Sequence, residues 1–169
     1  MTKWLRFIHG AGGYFDDREL AGGLGEAVGA AVDMPHISED DMSFEAWASP
    51  VRRMIAAMSS EDLLIAHSFG ASVLLRVLAE EPRPVPASAV LLAMPDWGPR
   101  GGDIAEYAFD GPEPVQSISL HHCRDDDVVP IRHLALNAAL LPSARVHEYP
   151  SGGHQFNGLA ATIVADAMA

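Results

Sequence analysis

Apolar positions fall along this chain in two alternating patterns. Strand-length segments occupy residues 4–9, 30–34, 62–67, 87–94, 115–122 and 144–149, of which 62–67 and 87–94 are nearly continuous apolar runs. Between them, residues 17–28, 43–58, 71–80, 134–141 and 159–168 carry helical patterns, with Gly, Pro and Asp marking the joints. Ser43 stands where an N-cap would open the second helix. Strand runs without polar alternation imply burial on both faces of a sheet. Strand-helix alternation therefore predicts parallel βαβ units in a three-layer α/β/α sandwich, with a mostly parallel sheet of about six strands. No repeat and no long linker divides the chain, so residues 1–169 are expected to form one domain. The one irregular stretch, residues 95–114 with Trp97, Tyr107 and Phe109, is a candidate small flap.

Composition narrows the partners. Apolar residues make up 49% and charged residues 20%, which is ordinary for a folded globular chain. A net charge of −12 disfavours phosphate-backbone binding, so no nucleic-acid partner is expected. The single cysteine, Cys123, excludes an intrachain disulfide and any multi-cysteine zinc site. With no leader pattern and no apolar run near the roughly 20 residues of a membrane span, a soluble, cytoplasmic protein without a membrane partner is expected.

In an open parallel sheet, ligands bind beyond the carboxyl ends of the strands, so reactive residues should follow strand ends. Ser68 does so in Ala66-His67-Ser68-Phe69-Gly70, where a sharp strand-to-helix turn needs small neighbours to expose a nucleophilic hydroxyl. The simpler alternative makes Ser68 a helix N-cap. A serine nucleophile needs a base and an acid that orients it. His154 follows the last strand in Ser151-Gly152-Gly153-His154, and Asp125, Asp126 and Asp127 follow the preceding one. Taken alone, these could be a solvated loop histidine and a charged turn. Together they put Ser, Asp and His in one chain order, each at a strand end. After the first strand, His9-Gly10-Ala11-Gly12-Gly13 offers unobstructed backbone N–H groups for an oxyanion, with the N–H of Phe69 as a second donor.

These segments resemble the α/β-hydrolase superfamily over nearly the whole chain. His9-Gly10-Ala11-Gly12 matches its H-G-x-G, Ala66 to Gly70 its G-H-S-x-G, His122 to Pro130 its H-G-x-x-D-x-x-V-P, and Gly153-His154 its G-H. Ala66 and Cys123 stand where the family has glycine. In size the chain is similar to the small, nearly lidless serine hydrolases of the retinoblastoma-binding-protein type. The resemblance implies a minimal α/β-hydrolase fold and selects Asp126 as the acid, because Asp127-Val128-Val129-Pro130 follow it. It implies an oxyanion hole from Ala11 and Phe69, and it needs no cofactor and no metal. Gly10, Gly12 and Trp97 are candidate substrate-binding residues. The expected reaction is acyl transfer from a small ester, thioester or amide to water, with esters favoured.

Three other readings are weaker. A dinucleotide site would use Gly10-Ala11-Gly12-Gly13 and Asp33, but Phe15 stands where the third glycine belongs. A metal site finds eight histidines, yet the adjacent His121 and His122 point to opposite faces of a strand and no H-x-x-x-H pair occurs. A non-catalytic member could bind a partner or ligand through the same cleft, but all three triad candidates are present, so the sequence gives no reason to prefer it. Among the remaining histidines, His67 should support the nucleophile turn, His121 and His147 should be satisfied strand residues, and His36 and His133 should lie at the surface.

Overall fold

The computed structural model describes residues 3–84 and 86–169. The expected elements form in the expected order: β1 (Trp4–Ile8), α1 (Arg18–Val28), β2 (Ala31–Asp33), α2 (Phe44–Ala56), β3 (Leu63–His67), α3 (Phe69–Glu80), β4 (Ser88–Leu92), β5 (Ser117–Cys123), α4 (Arg132–Leu140), β6 (Arg145–Tyr149) and α5 (Ala160–Met168). The six strands make one sheet in the order β2-β1-β3-β4-β5-β6, and every pairing is parallel. Among the described residues, no helix is long and apolar enough to cross a membrane.

Successive strand residues face opposite sides, and the core divides accordingly. Leu64 and Ala66 of β3 join Trp47 and Val51 of α2 and Leu74 and Leu78 of α3 in one cluster. Ile65, between them in sequence, joins Leu20 and Leu24 of α1 and Ile163 of α5 in the other. Helices thus cover both faces, which explains why the central strands β3 and β4 read as nearly unbroken apolar runs.

The strand order places a crevice. The chain moves outward from β1 to β2, then returns across β1 to β3 and moves the other way. The carboxyl ends of β1 and β3 therefore flank a topological switch point, where loops diverge and leave room for a ligand. His9-Gly10 and Ser68 follow these two strand ends.

Helix α3 begins at Phe69, two residues ahead of the expected start. Gly70, read as a small neighbour that the turn needs, lies inside the helix, whose start abuts β1. A Cβ on Gly70 would lie 2.3 Å from the His9 carbonyl oxygen and 2.8 Å from Ile8 Cγ2. Only glycine allows this approach.

The 95–114 segment has no regular element, but its aromatic side chains anchor it. Trp97, Tyr107 and Phe109 pack against the α2–α3 core. Trp97 Nε1–H donates to Ser72 Oγ at 2.9 Å, and Tyr107 O–H donates to the Met42 carbonyl at 2.8 Å.

Two histidine expectations are corrected. His133 is buried, because the first turn of α4 faces inward and His133 Nδ1 accepts the Asp96 backbone N–H at 2.9 Å. His147 is not satisfied: its Nε2 is buried without a hydrogen-bond partner among the described residues, and its Nδ1 lies 3.8 Å from Asp166 Oδ2, beyond hydrogen-bond reach. His121 matches expectation, bonded to Tyr149 Oη and Ser119 Oγ, and His36 is exposed.

Candidate active site

Ser68 sits between β3 and α3 with φ 54° and ψ −127°, a conformation disfavoured for any residue with a Cβ. Its position is that of an N-cap, but its side chain makes no cap hydrogen bond. The backbone instead ties the turn to the sheet, with Ser68 N–H donating to the Leu92 carbonyl at 2.8 Å. Strain held by the sheet and a hydroxyl left unused by the helix are features of a side chain presented outward.

The Ser68 hydroxyl opens on a cleft of about 560 Å³. Gly10 and Ala11 line it from the β1 side, Trp97 and Tyr107 from the 95–114 segment, and His154 from the loop after β6. A Cβ on Gly10 would be 3.1 Å from Ser68 Cβ and 3.6 Å from Ser68 Oγ, so glycine lets the β1 loop close onto the serine. Gly12 is in the same loop at φ 63°, but it lies beside Glu39 and is not among the residues lining the cleft. Phe69 also lines the cleft, and as the first residue of α3 its N–H has no partner within the helix.

His154 and Asp126 come together across the ends of β5 and β6. His154 Nδ1–H donates to Asp126 Oδ2 at 2.8 Å, which leaves Nε2 as the ring's basic nitrogen. Asp126 Oδ1 accepts the backbone N–H groups of Val128 at 2.9 Å and Val129 at 2.8 Å. Burial opposes ionisation of Asp126, but the hydrogen bonds from His154 and these amides and the nearby imidazole charge hold its carboxyl below the ordinary range. His122, expected only as part of the motif, places Nε2 3.5 Å from Asp126 Oδ2 and donates to the Val129 carbonyl at 2.8 Å. Among the described residues, no hydrogen bond joins His154 Nε2 to Ser68 Oγ; His154 is held through Nδ1 and through its carbonyl.

The neighbouring aspartates separate by function. Asp125 Oδ1 and Oδ2 accept the N–H groups of Gly153 and Gly152, at 2.8 and 3.2 Å, and so cap the loop that carries His154. Asp17 was not legible as a site residue, since an aspartate ahead of a helix reads as an N-cap. It occupies that position but makes no cap bond. Its carboxylate turns inward to Gly10 N–H at 2.9 Å, His67 Nδ1 at 2.9 Å and Gln155 Nε2–H at 3.0 Å. No local signal marks contacts that reach 50 and 138 residues along the chain.

Among the described residues there is no group of His, Cys, Asp and Glu able to hold a metal ion. Burial, above all, pushes the Cys123 thiol up to about 12, which suits a packed core residue rather than a nucleophile.

A parallel sheet in this order, with a strained serine after β3, an aspartate after β5 and a histidine bonded to it after β6, defines an α/β hydrolase. Residues 24–157 match the family described as serine hydrolase. The chain belongs to that family, and it is a hydrolase. No curated protein matches the chain in sequence. Among solved structures it is similar to the ydeN gene product of B. subtilis, with TM-score 0.73 and 18% identity over 99% of each chain. It is similar to Est1E from Butyrivibrio proteoclasticus, with TM-score 0.75 and 14% identity over 99% of this chain and 86% of that one. It is also similar to the esterase domain of a Rhodothermus marinus protein, with TM-score 0.61 and 16% identity over 98% of this chain and 83% of that one. At such identities these likenesses carry the fold.

Proposed function

We propose that the protein hydrolyses small, uncharged esters through an acyl-enzyme on Ser68, with His154 as general base and Asp126 as the acid that orients it. The observation that carries this reading is the 2.8 Å bond from His154 Nδ1–H to the buried Asp126 carboxylate, in the cleft that Ser68 lines. With its Nδ1 proton committed, the imidazole presents the Nε2 lone pair to the Ser68 hydroxyl. Hydrogen bonds of this kind are often long in a free enzyme and shorten once substrate fills the site.

In the forward step His154 Nε2 takes the Ser68 proton as Oγ attacks the ester carbonyl. The amides of Ala11 and Phe69 receive the developing oxyanion. Collapse of the intermediate expels the alcohol, which takes the proton from His154, and the acyl group stays on Ser68. Water activated by the same imidazole then releases the acid and restores the hydroxyl. The chemistry uses no metal or cofactor.

The substrate class follows from the walls. Trp97, Tyr107, Phe69, Met42 and Val129 supply apolar surface; Asp17 is paired with His67, so Asp16 is the charged lining group left unbalanced, with no Lys or Arg among the described lining residues. An anionic acyl group would meet negative charge without a counter-ion, whereas a neutral one gains by burial. Hydrolysis of short-chain aryl esters tests the proposal. Wild type should turn over, and Ser68→Ala and His154→Ala should each lose about 10⁴-fold or more in kcat. Turnover unchanged in both variants would sink it.

A further inference from the structure

Beneath the proposed triad lies a second carboxylate–imidazole pair that the chemistry above does not use. Asp17 and His67 each have side chains only 1% exposed, and Asp17 Oδ2 is 2.9 Å from His67 Nδ1. The other ring nitrogen, His67 Nε2, is 2.8 Å from the backbone carbonyl oxygen of His154. A carbonyl oxygen only accepts, so Nε2 must carry a hydrogen. At Nδ1 the partner is a carboxylate oxygen that already accepts the Gly10 N–H.

We infer that His67 is a positioning residue held as an imidazolium, with both ring nitrogens donating, and that the Asp17–His67 ion pair fixes the oxyanion loop and the His154 loop relative to each other. This rests on the catalytic reading proposed above and says how that site is kept in register.

The pair reaches both halves of the machinery. Asp17 Oδ2 holds Gly10 N–H at 2.9 Å, one residue before the proposed oxyanion donor Ala11. On the other side, Asp17 Oδ1 accepts Gln155 Nε2–H at 3.0 Å, and His67 holds the carbonyl of the adjacent His154. Two loops that follow β1 and β6, far apart in the sheet, thus meet on one buried charge pair. The packing is built for it: a Cβ on Gly13 would come within 3.2 Å of Asp17 Oδ2. The His67 and His154 rings lie 4.5 Å apart by centroid, so an unbalanced His67 charge would oppose protonation of His154 during turnover. The Asp17 carboxylate supplies the balance. Burial works against its ionisation, but the His67 hydrogen bond and charge, with Gly10 and Gln155, hold its carboxyl below the ordinary range.

The test is the imidazole ¹H–¹⁵N spectrum of full-length Ser68→Ala protein at neutral pH, alongside steady-state ester hydrolysis by Asp17→Asn in the Ser68 background. The expected spectrum has both His67 nitrogens protonated, with one reverting to the unprotonated type when Asp17→Asn is added. The expected kinetics are a fall in kcat of about tenfold to a hundredfold with KM within about twofold, the signature of misplaced catalytic groups. A His67 ring with one bare nitrogen in the parent protein would overturn the inference. Unchanged kcat in a folded Asp17→Asn enzyme would overturn the positioning role. The spectrum reads the ion pair without turnover, so inactivity of the wild type would count against the catalytic reading and leave the His67 result to be judged separately.

Discussion

Replacing Ser68 by glycine should make the protein more stable while abolishing its activity. Ser68 holds φ 54° and ψ −127°, and a residue with a Cβ forced into such a region costs about 1–3 kcal/mol. Glycine adopts it with little strain but adds about 0.5–1 kcal/mol of backbone freedom to the unfolded chain. The difference leaves a net gain of about 0–2.5 kcal/mol, centred a little above about 1 kcal/mol. The proper reference is Ser68→Ala, which also loses the hydroxyl but keeps the Cβ and therefore the strain. That hydroxyl makes no cap bond, so its removal alone should be nearly neutral. In a chain of 169 residues, each kcal/mol shifts Tm by about 2–4 °C, so Ser68→Gly should melt up to about 10 °C above Ser68→Ala, and about 3–5 °C at the centre of the range. Scanning calorimetry on the two variants decides the matter. If Ser68→Gly melts below Ser68→Ala, the turn stores no strain, and the fold gives up no stability to present this hydroxyl.

Other consequences concern packing and pH. Gly70→Ala puts a methyl group into the His9 carbonyl and Ile8, which must shift; a loss of about 1–3 kcal/mol or more by urea denaturation is expected, with lower kcat as the start of α3 moves. Burial, reinforced by the charge on His147, lowers the His121 pKa from 6.5 to about 3. The unfolded chain therefore binds a proton below about 6.5 that the folded protein refuses until about 3. That stability is complete above the unfolded value and is lost as pH falls, at up to about 1.4 kcal/mol per pH unit. Urea midpoints should show His121→Gln declining with acid less steeply than wild type, by up to one proton; equal slopes would contradict the burial argument.

Much of the fold was legible because it rests on local patterns repeated along the chain. Buried parallel strands read as apolar runs, and each lies between turn residues. The strand-end rule then located Ser68, the aspartate run and His154 without any three-dimensional knowledge. What could not be read depends on distant partners. Asp17 carries the signature of an N-cap, and Gly10, His67 and Gln155 together turn its carboxylate inward. His133 looks like a surface residue of a polar helix start until Asp96 supplies a buried N–H. Gly70 reads as a small neighbour of the turn, but that it lies inside a helix passing within contact of β1 does not show in the sequence. In each case the deciding contact is with a strand end or loop that sequence spacing alone does not bring near.

The central claim is that Ser68 is the nucleophile, and covalent labelling reads it most directly. Intact-mass and peptide analysis after treatment with a fluorophosphonate should find one adduct, on Ser68, absent from Ser68→Ala and formed much more slowly by His154→Ala. An unlabelled wild-type protein, or an adduct that persists in Ser68→Ala, would contradict the account.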